Sequence, residues 1–205
     1  ADEIGGTIDY LYPEQIGRED RPCHQTDARP LEDGVSLRPV ASVRSGYVQS
    51  VDAEALMHLA TAKDIVVRIV TRPGCFVLKV QALMTAGPSE RVSDDMGKEL
   101  CGTLIIGRDR TPTQDLEFSI RRIVEIAQRA LSPGINDPTT ALYCIDRLSE
   151  AFGRLSTRSP PSPIRRDDTG RIRVVTEVVT FEDLACPAFA AVARYGAGDA
   201  DVMAH

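Results

Sequence analysis

Residues 130–142, ALSPGINDPTTAL, set Ser-Pro-Gly and Asn-Asp-Pro back to back between two apolar, helix-patterned segments. Pro133 and Gly134 cannot comfortably continue a helix, so the first segment is expected to end near Ser132. Asp137 then caps the second, whose first position is Pro138. The first helix is expected from Pro112 to Leu131, opened by Thr111 as cap, with Gln114 three residues on in a capping-box arrangement. Its apolar residues Leu116, Ile120, Ile123, Val124, Ala127, Ala130 and Leu131 fall on one stripe about 120° wide at 100° per residue. The second helix carries a matching stripe at Ala141, Ile145, Leu148, Phe152 and Leu155. A connection this short between two such stripes predicts an antiparallel helix hairpin.

Upstream the periodicity changes. Asp2 to Tyr12 reads as a helix already under way, and residues 13–39 are polar, rich in proline and charge, and keep no period. From Val40 the pattern becomes strand, short helix capped by Asp52, strand (IVVRIV), turn (TRPG) and strand again (CFVLKVQALMTA). A helix near Ser89–Leu100 and the strand TLIIG follow. Beyond Leu155, STRSPPSPIRRDDTG reads as a flexible loop, RIRVVTEVV as a strand, and Thr180 as the cap of a helix reaching about Tyr195 with an interruption near Pro187. The expected fold class is α+β: a small mixed β unit packed with an antiparallel helix hairpin and further helices. The expected division is 1–39 lead-in and linker, 40–107 β-rich unit, and 108–205 mainly helical with one strand, truncated at the C-terminus.

Composition narrows the function classes. A net charge of −6 and a pI near 5.1 give no general electrostatic reason to bind nucleic acid. The cysteines at 23, 75, 101, 144 and 186 are far apart and odd in number, which favours a reducing compartment over a disulfide framework. Cys23 and His24 are neighbours without further ligands at zinc-finger spacing. No apolar run approaches the roughly 20 residues that span a bilayer. Both ends read as cut from a longer chain, because Ala1 is not a methionine and His205 follows a helix-start pattern.

Two polar clusters are candidates for ligand binding. Ser132, Asn136 and Asp137 stand at the helix junction, where a helix N-terminus attracts anions and an Asn-Asp pair binds hydroxyls or a cation. The structural alternative makes Asp137 a cap and Asn136 a left-handed turn residue. Arg108, Asp109, Arg110 and Asp115 cluster in RDRTPTQD, where arginine beside free backbone N–H groups suits phosphate or carboxylate. The alternative there is ion pairing of Arg110 with Asp115 or of Asp115 with Arg122. A helix from Pro112 to Leu131 is about 30 Å long, so the two clusters would not share one site within a chain. No catalytic residue, cofactor or metal ligand is assigned. His24, His58 and His205 flank no nucleophile elbow, no GxSxG, P-loop or GxGxxG occurs, and Cys144 reads as a buried thiol.

The run RTPTQDLEFSIRRIVEIAQRALSPGINDPTTALYCIDRL, with RSGYVQSVDAEALMHLA before it and TFEDLACPAFAAVARYGAG after it, closely resembles the predicted bacterial membrane proteins of the domain of unknown function 2254 family. The resemblance implies transmembrane helices followed by a large soluble region to which this chain corresponds, with DEIGGTIDYLYPEQIG as the helical lead-out from the membrane. SGYVQSVD and RPGCFVLKVQALMTA are also similar to barrel-sandwich modules, except that Lys79 or Val80 stands where those modules place a second glycine. The expected function is a non-enzymatic regulatory, sensing or assembly domain on the cytoplasmic side of a bacterial inner membrane. Its expected partners are its own transmembrane region and further copies of itself, through apolar residues off the main stripes (Phe118, Ile126, Leu142, Tyr143). The rival expectation is an enzyme or receptor for a small ligand or anion, built on Arg110, Asp115, Asn136 and Asp137.

Overall fold

The computed structural model describes residues 2–12 and 36–205, and Cys23, His24 and most of the polar linker lie outside them. The elements are α1 (Asp2–Leu11), β1 (Arg38–Ala41), β2 (Gly46–Val51), α2 (Ala53–Ala62), β3 (Val66–Ile69), β4 (Phe76–Val77), β5 (Ala82–Gly87), α3 (Asp94–Gly102), β6 (Leu104–Gly107), α4 (Leu116–Ala130), α5 (Pro138–Ser156), β7 (Ile164–Arg166), β8 (Ile172–Val175), α6 (Phe181–Gly196) and α7 (Ala200–Ala204). The fold is α+β. The strands make two open sheets rather than a closed barrel, so the barrel-sandwich likeness does not extend to closure.

The described residues divide into two compact units that interleave in sequence: residues 2–12, 115–161 and 179–205 form one, and residues 36–114 and 162–178 the other. A consecutive split at residues 39 and 107 misses this, for two physical reasons. β8 pairs in parallel with β3, Val67 opposite Val174, which returns a late segment to the β unit. α1 buries Ile4 and Ile8, and Tyr12 just after it, in the helical core instead of standing apart as a lead-in.

In the β unit, one sheet runs β1-β5-β3-β8-β7 and the other β4-β2-β6. CFVLKVQALMTA is not one strand: β4 joins β2 in the small sheet, β5 lies between β1 and β3 in the large one, and the turn between them carries the chain across. Val48, Leu56, Ile65, Val67, Val77, Leu83, Met84 and Leu100 are buried at the centre. The expected cap Asp52 accepts the Ala55 N–H at 2.9 Å. The segment read as a flexible loop contains β7 and a tight turn, because Asp167 accepts from Thr169 N–H, Thr169 Oγ1 and Arg171 N–H and closes an Asp-x-Thr-Gly hairpin. The C-terminal part therefore holds two strands, not one.

In the helical unit, α4 and α5 pack side by side as the expected hairpin, with α1 and α6 against them. The stripe residues Leu116, Ile120, Val124 and Ala127 meet Ile145, Leu148, Phe152 and Leu155 in one core. Phe152 stacks edge-on with Phe181 and tilted with Phe189, at 5.5 and 5.3 Å between ring centres. α6 opens with a capping box between Thr180 and Asp183. Pro187 sits inside it, without an N–H to return to the Asp183 carbonyl.

Candidate functional site

α4 begins later than its sequence pattern suggests. Its cap is Asp115, 4% exposed, which accepts the Phe118 N–H at 3.0 Å; Thr111 and Pro112 precede the helix. Gln114 does not complete a capping box. Its side-chain amide instead takes the Val51 N–H at 2.9 Å and donates to the Val51 carbonyl at 3.2 Å, as a neighbouring strand would. Two bonds to β2 and an aspartate cap outcompete the Thr-Gln pairing.

The junction SPGINDP is equally occupied by local bonding. Asp137 caps α5, accepting Thr140 N–H at 3.1 Å and Thr140 Oγ1 at 2.6 Å; these bonds hold its carboxyl below the usual carboxylate range. Asn136 sits at φ +49° in the left-handed region, its N–H bonded to the Ser132 carbonyl at 2.9 Å. The Ser132 hydroxyl donates to the Arg129 carbonyl at 2.7 Å. Arg122 lies over the Phe118 ring at 5.8 Å and 3.8 Å from Glu3. Arg110, in the segment that follows β6, is half-buried. The candidates of the helical unit do not converge: Asp115 stands at one end of α4, while Ser132, Asn136 and Asp137 follow the other. That helix has 15 residues, so it spans about 22 Å rather than 30 Å.

What the helical unit does present is a half-open groove of about 240 Å³ between α4 and α6. Ile120, Val124, Leu184, Pro187, Ala188 and Ala191 form its floor. Its rim is charged, with Glu117, Glu125 and Asp183 against Arg121, which is 3.3 Å from Glu117. Sequence reading missed this groove, although Pro187 and the small residues after it were its signal: they thin α6 where it faces α4. Of the apolar residues off the helix stripes, Leu142 packs against the core and Phe118 is half-buried, while Ile126 and Tyr143 are exposed.

A second cluster went unforeseen in the β unit. Arg173 reaches Asp167 and Asp64, and Arg91 and Arg171 also bond Asp64. These pairs tie the α2–β3 turn to the β7–β8 hairpin, and they hold both carboxyls below their ordinary range, chiefly through Thr169 and Arg173 at Asp167 and through Arg91 and Arg173 at Asp64. Burial pushes the Cys101 and Cys144 thiols up, which disfavours the thiolate at both. Among the described residues, no group of three or more His, Cys, Asp or Glu side chains is placed to hold a metal ion, and no helix is long and apolar enough to cross a membrane.

The family model described as Predicted membrane protein (DUF2254) matches residues 2–205. The chain belongs to the DUF2254 family. Uncharacterized proteins of Mycobacterium bovis and of two strains of Mycobacterium tuberculosis are similar to this DUF2254 chain, each 32% identical over 203 residues. Those residues are 97% of this chain and 38% of each relative, so the chain spans well under half the length of the proteins it matches. No solved structure matches it.

Proposed function

We propose that this chain is a regulatory, sensing or assembly portion of a longer DUF2254 membrane protein, that it performs no catalysis of its own, and that it works by associating with a second copy of itself. The observation that carries the reading is the α4–α6 groove, with its apolar floor and a rim bearing both signs of charge. A twofold interface requires a surface that complements itself, and a rim with acids and an arginine around an apolar strip supplies one. At about 240 Å³ the groove is smaller than most small-molecule clefts, which run from roughly 300 to 1,000 Å³. The polar groups that a ligand-binding or catalytic reading would use at the SPGINDP junction are engaged in capping and turn bonds. Cysteines spread singly along the chain support placing it on the cytoplasmic face.

Light scattering at micromolar concentration tests the reading. Twice the chain mass is expected, falling to one chain mass on Arg121→Glu, which leaves four acids and no base on the groove's rim. A single-chain mass for the unaltered protein sinks the proposal.

A further inference from the structure

The β1–β2 and β4–β5 connections are not separate loops. Ser42 N–H donates to the Gln81 carbonyl at 2.8 Å, Val80 N–H to the Ser42 carbonyl at 2.9 Å, and Lys79 N–H to Ser45 Oγ at 2.8 Å. Within them, Gln81 N–H closes on the Leu78 carbonyl, Leu78 N–H on Gln81 Oε1, and the Ser42 hydroxyl on the Arg44 carbonyl. The result is one tip whose peptide groups are largely satisfied from within.

The side chains on this tip are the reverse of what a solvated turn selects. Val43, Leu78 and Val80 are 64, 60 and 78% exposed, with Phe76 beside them at 53%. Val80 holds φ +69°, the third position of the turn Leu78–Gln81 and the place where glycine or asparagine is usual. A β-branched residue there is strained, and strain that persists at an exposed position points to function more than to folding. Both segments are free of acids in sequence: no Asp or Glu occurs from Ser36 to Val51 or from Ile65 to Ser89, in a chain of net charge −6, while Arg44 and Lys79 stand exposed on the tip itself. The acids of α3 lie against β1, where Asp94 pairs with Arg38. Asp109, after β6, is flanked by Arg108 and Arg110.

We infer that this tip is a membrane-surface anchor, which seats Val43, Leu78 and Val80 among the headgroups and upper acyl chains of an anionic bilayer while Arg44 and Lys79 contact lipid phosphates. Three features fit that occupant. Internally bonded peptide groups enter a low-dielectric layer at little cost. Apolar side chains exposed together on paired turns suit a yielding interface. Exposed Arg44 and Lys79, in segments that carry no Asp or Glu, match a negatively charged leaflet. Membership in a family of predicted membrane proteins is consistent with a bilayer as the occupant. The inference is independent of the self-association reading, which concerns the helical unit.

The test is flotation of the chain with vesicles of phosphatidylcholine and phosphatidylglycerol at about 3:1, beside phosphatidylcholine alone. Binding to the anionic vesicles and weak binding to the neutral ones is expected. Arg44→Gln and Lys79→Gln should each weaken anionic binding about fivefold. Val80→Gly should weaken it by about as much, through lost apolar burial, while leaving the melting temperature unchanged or higher, so misfolding does not account for the loss. Leu78→Ser should act in the same direction. The proposal is overturned if the folded chain does not float with anionic vesicles, if the Val80 and Leu78 variants float as well as the parent, or if these variants change the mass by light scattering, which would make the tip a protein contact.

Discussion

Arg173 donates from Nε to the Asp167 carboxylate at 2.7 Å, and both side chains are 6% exposed. Its Nη1 reaches Asp64 at 2.8 Å, so one guanidinium joins two turns distant in sequence. Thr169 and Arg173 hold the Asp167 carboxyl below the carboxylate range of the unfolded chain. A carboxylate with a depressed folded value stabilises the fold fully above its unfolded value of about 3.9 and loses that contribution as pH falls through the folded one. The melting temperature is therefore expected to be insensitive to this group from pH 8 to 5 and to fall below about pH 4. Asp167→Asn should melt lower at pH 7 and decline less steeply between pH 4 and 2. Parallel pH profiles for parent and variant would refute the assignment.

Asp115, and not Thr111, is the cap of α4. Asp115→Ala should cost about 1–2 kcal/mol, a fall of several degrees in a chain of this length, since a buried cap is lost. Thr111→Ala should stay within about 0.5 kcal/mol. Thermal melts followed by circular dichroism distinguish the two, and equal losses would restore the capping box read from the sequence.

Elements whose boundaries follow from local rules were readable in advance: Asp52, Asp137 and Thr180 each stand immediately before a periodic apolar stripe and cap it as expected. Where two local solutions competed, the sequence did not reveal the winner, because the partner that decided between them is distant. Gln114 is drawn from the helix by Val51, 63 residues away. The segment read as a loop after Leu155 holds β7 in a local hairpin with β8, and that hairpin joins the large sheet where β8 finds β3, a pairing across more than 100 residues that no window of periodicity contains. The polar residues at the helix junction read as candidates for ligand binding, with cap and turn roles as the alternative, and their bonding is that of turns and caps. The α4–α6 groove depends on two helices more than 50 residues apart and could not be read from either alone.

Asn136 separates a turn role from a binding role. At φ +49°, with its N–H bonded to the Ser132 carbonyl, it occupies a conformation that glycine adopts freely and asparagine tolerates. Asn136→Gly should leave stability within about 0.5 kcal/mol, whereas Asn136→Ala should lose about 1 kcal/mol from its Cβ in the left-handed region. Equal stability of the Gly and Ala variants in a urea titration would show that the conformation does not constrain the side chain there.

Gly46 begins β2 where the backbone of β6 passes closest. A Cβ at this position would lie 2.5 Å from the Gly107 carbonyl oxygen and 2.9 Å from Ile106 Cγ2, and a carbonyl held in a strand pair cannot retreat as a flexible side chain would. Gly46→Ala is therefore expected to destabilise the β unit by about 2 kcal/mol, at the upper part of the range for overpacked sites. Gly97 is the control: it lies in α3 of the same unit, a Cβ there meets nothing within 4 Å, and Gly97→Ala should gain about 0.5–1 kcal/mol from helix propensity. Urea midpoints should shift in opposite directions with unchanged slopes, since neither substitution alters the surface exposed on unfolding. If Gly46→Ala leaves the midpoint in place, β2 and β6 have room to part, and the close approach that anchors the small sheet beside the apolar tip is not a constraint on the fold.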